Sequence, residues 1–122
     1  PDLFDDPVDA AATRRFLADP RHAMAAAIED GVLVGFASAV RYAHPDKARE
    51  QFWVNEVAVL ESHRRQGLGK AMMAALEAEA RRAGCFEMWV GTEVSNAAAR
   101  ALYAASGGVE DAEPFVSAVW RL

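Results

Sequence analysis

The sequence predicts an α/β fold in which helices sandwich a mixed sheet, and three observations carry that expectation. Strand-like apolar runs alternate with amphipathic helical ones along the chain. Two strand-like runs, Met24 to Ile28 and Val32 to Tyr42, flank the hairpin turn signal Glu29-Asp30-Gly31. A further run, Phe52 to Leu60, leads through a basic, glycine-containing turn into a long amphipathic helix.

Each element has a local reason. Asp6-Pro7 predicts a helix start, Asp as N-cap and Pro at the first helical position. Val8, Ala11, Ala12 and Phe16 then keep helical spacing up to Asp19-Pro20. Ala43-His44-Pro45-Asp46-Lys47 reads as a polar loop. Phe52 to Leu60 is rich in aromatic and β-branched residues, as strands are. Leu68, Met72, Ala75 and Leu76 form the apolar stripe of the helix that follows, which runs to about Ala83 with Gly84 as its stop. Cys85 to Thr92 is expected as a strand, Asn96 to Ser106 as a short Ala-rich helix closed by Gly107-Gly108, and Phe115 to Leu122 as a final strand. Neither a repeat nor a linker interrupts the pattern, so residues 1–122 are expected to form a single domain.

Composition narrows the function. The chain is 52% hydrophobic and 25% charged, an ordinary globular balance. A net charge of -5 argues against a nucleic-acid partner and favours a cationic substrate. The one cysteine, Cys85, allows no internal disulfide, which fits a reducing, cytoplasmic setting; on its strand it reads as a small buried hydrophobe. The longest apolar stretch, Val32 to Val40, is too short to span a bilayer, and the N-terminus lacks a signal-peptide pattern, so no membrane association is expected. His22, His44 and His63 are scattered without metal-ligand spacing, and His63 beside Arg64 reads as solvated. Trp53, Trp89 and Trp120 are expected in strands, as core or interface residues.

The most telling stretch is Arg64-Arg65-Gln66-Gly67-Leu68-Gly69-Lys70. The first amides of a helix lack intrahelical partners, and the helix dipole makes that end electropositive. Gly67 and Gly69 let an anion approach the backbone, while Arg64, Arg65 and Lys70 add mobile positive charge. The plainer alternative is a tight helix start with solvated arginines. Walker A spacing is absent, Ala71 standing where its hydroxyl would be, and no dinucleotide fingerprint is present.

These residues resemble the GNAT superfamily of acyl-CoA-dependent N-acetyltransferases. Its Arg/Gln-x-x-Gly-x-Gly/Ala signature is matched by Arg64, Gly67 and Gly69, and its Asn followed seven residues later by Tyr is matched by Asn96 and Tyr103. Val57-Ala58-Val59 matches the end of the preceding strand. The resemblance covers roughly residues 7 to 122. It implies a mostly antiparallel sheet flanked by helices, with splayed strands forming the acyl-CoA site. It also implies that the amides of Arg65 through Lys70 bind the CoA pyrophosphate and that Val57 and Val59 pair through their backbone with the pantetheine arm. Asn96 would hydrogen-bond the pantetheine or nearby backbone, and Tyr103 would stand near the sulfur. The family's domains begin with a strand and a helix before the helix assigned at Pro7. This chain is therefore expected to lack that first strand, with residues upstream of Pro1 or a partner covering the exposed edge.

Acetyl transfer to an amine needs a neutral amine, a donor to the carbonyl oxygen and a proton for the leaving thiolate. A backbone amide near Val57 can supply the donor and Tyr103 the proton; the alternative for Tyr103 is a core aromatic. Glu56 is the candidate base. On a regular strand its same-face neighbours are Val54 and Ala58, an apolar setting that would raise its pKa; a salt bridge with an arginine, or a water as base, are the alternatives. Glu93, Glu50 and Asp46 could hold a polycationic substrate or be solvated loop charges. No Ser-His-Asp or Cys-His arrangement suggests itself in the sequence.

Within the superfamily, Val54-Asn55-Glu56-Val57-Ala58-Val59 followed by Ser62-His63-Arg64-Arg65-Gln66-Gly67 resembles the aminoglycoside 3-N-acetyltransferase branch, with Glu56 where an Asp is expected. The expected activity is acetyl-CoA-dependent transfer of an acetyl group to a primary amine of a small cationic substrate, in a homodimer. The alternatives are a protein or peptide acetyltransferase, and a non-catalytic acyl-CoA sensor that would need neither Glu56 nor Tyr103.

Overall fold

The computed structural model describes residues 3–122. The chain divides into two compact units, the first ending at Gly91 and the second running from Thr92 to Leu122.

The first unit contains helix α1 (Ala10–Ala18), strands β1 (His22–Glu29), β2 (Val32–Tyr42) and β3 (Gln51–Val59), a single 3-10 turn (Glu61–His63), helix α2 (Leu68–Arg82) and strand β4 (Glu87–Val90). The sheet order is β1-β2-β3-β4, with β1 at an edge; β1-β2 and β2-β3 are antiparallel and β3-β4 parallel. This is the mostly antiparallel mixed sheet flanked by helices that the sequence predicts. The hairpin turns on Asp30 and Gly31, both at positive φ (50° and 78°), the conformation a two-residue hairpin needs to match strand twist.

Residues Val34 to Ala39 of β2 are all buried, so both sheet faces are covered. A Cβ on Gly35 would lie 3.3 Å from the Met72 methyl, which puts α2 over the face carrying Gly35, Ala37 and Ala39. On the opposite face Phe36 stacks on Phe4, with ring centroids 4.4 Å apart. Phe36, Phe52, Val54 and Leu76 are the largest fully buried side chains, each worth about 1.5–3 kcal/mol of burial.

Several expectations shift. Helix α1 starts at Ala10, capped by Asp9 rather than Asp6: the Asp9 carboxylate accepts the Ala12 N–H at 2.7 Å from an extended backbone. The buried stripe of α2 is Met72, Met73, Leu76 and Ala80, whereas Ala75 is exposed, because the stripe follows the facing strands rather than one fixed heptad row. Strand β4 is shorter than Cys85 to Thr92.

The second unit holds α3 (Ala97–Ala105). Asn96 caps it, accepting the Ala99 N–H at 3.0 Å. Gly107 at φ 97° and the Gly108 N–H bonded to the Tyr103 carbonyl at 2.9 Å close its C-terminus as a Schellman turn. Arg100 binds both Glu110 carboxylate oxygens and the Val94 carbonyl, tying the flanking segments to the helix. The final strand expected over Phe115 to Leu122 does not form: those residues carry no strand pairing, and Trp120 is 77% exposed. Alternation and β-branching make a segment fit for a strand, but a ladder needs a hydrogen-bonding neighbour, and the described residues supply none there.

Candidate functional site

The β3-α2 connection is built by backbone before side chains. The Leu60 N–H donates to the Val34 carbonyl at 2.9 Å. In an antiparallel ladder alternate residues turn their N–H and C=O toward the same neighbour, so Ala58 and Glu56, opposite Phe36 and Ser38, bond toward β2. Val57 and Val59 therefore present N–H and C=O groups on the other side. There β4 pairs only as far as Val90, opposite Val54, while β3 continues to Val59. Past Val54, β3 keeps an edge that β4 does not fill. The Arg64 Nε donates to the Val59 carbonyl at 3.2 Å, so this arginine is partly fixed at that edge rather than fully mobile.

A β-bulge sits in the same strand. Val54 opposes Ala39 and Glu56 opposes Ser38, leaving Asn55 unopposed. The extra residue reverses the alternation. Glu56 shares a face with Ser38, Ala58 and Trp53, and Val54 lies on the other. This corrects the reading that Val54 is a same-face neighbour of Glu56. Glu56 is exposed rather than buried, and no ion pair among the described residues includes it, so neither the burial nor the arginine pairing considered for it is present.

After the 3-10 turn, Arg64 is extended, Arg65 has φ 63° and Gly67, the N-cap of α2, has φ 79°. Left-handed residues in a turn orient successive amides toward one side, a concavity suited to anions. No side chain caps α2, and a Cβ built on Gly67 meets nothing within 4 Å. The Ala71 N–H is the first to bond back into the helix, to the Gly67 carbonyl at 3.0 Å, which leaves the Leu68, Gly69 and Lys70 amides without helical partners. Arg65, Gln66 and Lys70 are exposed around this opening, and Leu68 and Gly69 are half-buried.

Three side chains that the sequence hides converge at the start of this turn. The His63 ring bonds the Ser62 hydroxyl through Nδ1 at 2.7 Å and the Glu29 carboxylate through Nε2 at 3.0 Å. His63 is thus half-buried and engaged, not solvated. Glu29 lies 34 residues away at the end of β1, a separation with no local signal. Asn55 gave only the weak hint that Asn is uncommon in strands.

In the second unit, Tyr103 lies on α3 and is half-buried, and desolvation pushes its phenol above the ordinary tyrosine value. The Asn96 oxygen is taken up by the helix cap. Glu93 is exposed, its carbonyl accepting the Asn96 N–H at 3.0 Å. Of the other acidic candidates, Glu50 pairs with Arg41 at 2.7 Å and Asp46 with Lys47 at 3.1 Å, so Glu50 is committed to the fold. Burial raises the Cys85 thiol, the opposite of an activated nucleophile. Trp53 and Trp89 stack at 5.7 Å across β3-β4, whereas Trp120 lies outside any strand. No group of metal-binding side chains occurs among the described residues, and no helix among them is long and apolar enough to cross a membrane.

This arrangement of sheet, strand edge beyond β4 and open helix N-terminus coincides with a family match. Residues 2–107 match the model of the Acetyltransferase (GNAT) family, and the chain belongs to that family. The chain is similar to N-acetyltransferase family 8 member 3 of Mus musculus, 31% identical over 113 residues that span 93% of this chain and 50% of that protein. It spans about half the length of the curated relatives it matches. Among solved structures, the aminoglycoside N-acetyltransferase AAC(6')-Iy in complex with CoA is 27% identical, with a TM-score of 0.78 over 92% of this chain and 85% of that one. An aminoglycoside acetyltransferase from an uncultured soil metagenomic sample has a TM-score of 0.86 over 98% of this chain and 77% of that one; at 19% identity it speaks for the fold alone.

Proposed function

We propose that this chain is an acetyl-CoA-dependent N-acetyltransferase that acetylates a primary amine of a small cationic substrate of the aminoglycoside class. The observation that carries the reading is the open N-terminus of α2: an uncapped helix, two left-handed residues before it, and free space over Gly67. That cradle fits a pyrophosphate, and the outward N–H and C=O groups of Val57 and Val59 fit an amide-bearing arm added alongside β3. The solved complex of AAC(6')-Iy with CoA supports the choice of donor.

Acetyl-CoA, when bound, supplies an acyl thioester. The residues of this chain do the rest. The amides of Arg65 through Lys70, with the side chains of Arg65 and Lys70, hold the pyrophosphate, and the Val57 N–H donates to the carbonyl oxygen. Glu56, directly or through a water, takes the proton of the incoming ammonium so that its nitrogen can form the new C–N bond. Tyr103, whose phenol burial keeps further on the protonated side, gives its proton to the sulfur as the C–S bond breaks, and the proton that the new amide nitrogen sheds restores the phenol. The exposed carboxylates Glu56 and Glu93 and the net charge of -5 favour a cationic acceptor.

The test is calorimetric titration of the chain with acetyl-CoA and with CoA, followed by an acetylation screen of aminoglycosides and polyamines. Micromolar binding and turnover of an aminoglycoside are expected. Product mapping then decides the regiochemistry, the 3-amino group being the position expected from the resemblance in the β3-α2 segment. Binding without turnover of any amine would favour a sensor, and turnover only of peptides would favour a protein acetyltransferase.

A further inference from the structure

We propose that His63 is a positioning residue that ties the anion-binding turn to the β1-β2 hairpin, with Glu29 as its anchor. The proposal rests on the reading of Arg65 to Lys70 as the pyrophosphate cradle and adds what holds that cradle in shape. Arg65 occupies the left-handed region, which costs a non-glycine residue about 1 kcal/mol or more and persists only where the surroundings over-determine it.

On the strand side, the Leu60 N–H bonds Val34 and the Arg64 Nε bonds the Val59 carbonyl. Within the 3-10 turn, the His63 and Arg64 N–H groups donate to the Leu60 and Glu61 carbonyls. A side-chain hydrogen bond, between His63 Nε2 and Glu29, joins this turn to the β1 end of the hairpin. A carboxylate only accepts, so Nε2 carries a hydrogen; Nδ1 is then satisfied by the Ser62 hydroxyl in either protonation state of the ring. An imidazole bonded at both nitrogens has a fixed orientation, as metal-ligating and triad histidines do. His63 lies one residue before Arg64 and four before Gly67, so any rotation of the 3-10 turn re-aims every amide of the cradle. Preorganised donors bind more tightly because the ordering is done before the ligand arrives.

The experiment compares the full chain with His63→Ala, His63→Gln, Glu29→Ala and the double alanine variant, alongside Gly67→Asp. Two readouts are used: calorimetric titration with CoA, and amide hydrogen exchange without ligand at Leu60, His63 and Arg64. His63→Ala and Glu29→Ala are each expected to weaken CoA binding about 10-fold, the worth of one hydrogen bond to a charged group, without adding in the double variant. Both should speed exchange at the three amides, and the glutamine at position 63, which can still donate to Glu29, should restore both readouts. Unchanged exchange in His63→Ala, or glutamine behaving as alanine, overturns the proposal. If CoA binds wild type and Gly67→Asp alike, the cradle reading falls, and the ligand-free exchange still judges the tether by itself.

Discussion

The N-termini of α2 and α3 follow similar connections, a turn after a strand, yet they are finished in opposite ways. At α3 the chain supplies its own ligand: the Asn96 oxygen accepts the Ala99 amide, and the end is closed. At α2 the N-cap is a glycine in the left-handed region, no side chain among the described residues caps the helix, and a Cβ built on Gly67 meets nothing within 4 Å. Capping by Asn, Asp or Ser is worth about 1 kcal/mol, so an uncapped end between two ordered elements forgoes stability. The contrast teaches that the first amides of α2, unlike those of α3, are left without a side-chain acceptor among the described residues. Helix α1, capped by Asp9, sides with α3.

The strongest way to break the contrast is to close α2. Gly67→Asp places a carboxylate at its N-cap, in competition with any phosphate and in a left-handed conformation that costs Asp about 1–2 kcal/mol. Loss of several charge-assisted hydrogen bonds together predicts CoA binding weaker by about 1,000-fold or more, with the circular dichroism of the fold retained. Unchanged CoA affinity would remove the cradle assignment.

Next come the groups assigned to the chemistry, one on β3 and one on the closed helix. Tyr103→Phe is expected to lower kcat about 100-fold while leaving CoA affinity near wild type. Because burial raises the Tyr103 pKa and the protonated form is the donor, the wild-type rate should fall only as pH rises through that raised value, above about 10, and the variant should lose this limb. Stability carries the same sign. The buried neutral phenol contributes fully below about pH 10, the contribution is lost as pH rises through the folded value, and phenylalanine flattens the loss. Equal turnover would strip Tyr103 of its role. Glu56→Gln is expected to lower kcat by a somewhat smaller factor, about 10- to 100-fold, since a water can substitute as base, with CoA affinity near wild type. Unchanged kcat would assign the proton to another group.

How much of this was legible beforehand differs between the same two regions. The turn from Arg64 to Lys70 could be read because its parts are local: glycine spacing, a preceding strand and a following apolar stripe all lie within about two turns of helix. The short helix after Asn96 is legible for the same reason. The strand that carries Glu56 is legible, but the surroundings of Glu56 are not. The unopposed Asn55 flips the strand face, and a bulge is set by pairing with β2 rather than by the residues themselves. The His63-Glu29 contact was invisible because it joins elements that only the sheet brings together. The terminal segment Phe115 to Leu122 failed in the opposite direction: strong β propensity promised a strand whose existence depends on a neighbour.

The smallest effect sharpens the comparison most, because it separates the two uses of one side chain. The resemblance gives Asn96 a hydrogen bond to the pantetheine or to nearby backbone; its oxygen makes the second by capping α3, and its amide NH2 is left to donate the first. Asn96→Ala removes both groups; Asn96→Asp keeps the capping oxygen and removes the donor. Stability, read from the urea midpoint at constant slope, should fall by about 1 kcal/mol in the alanine variant and stay near wild type in the aspartate variant. CoA affinity should fall in both, by about 5- to 10-fold for one neutral hydrogen bond. An aspartate variant that binds CoA as wild type does would confine Asn96 to capping. Asn96 would then serve the fold alone, and the open end of α2 would carry the donor's recognition.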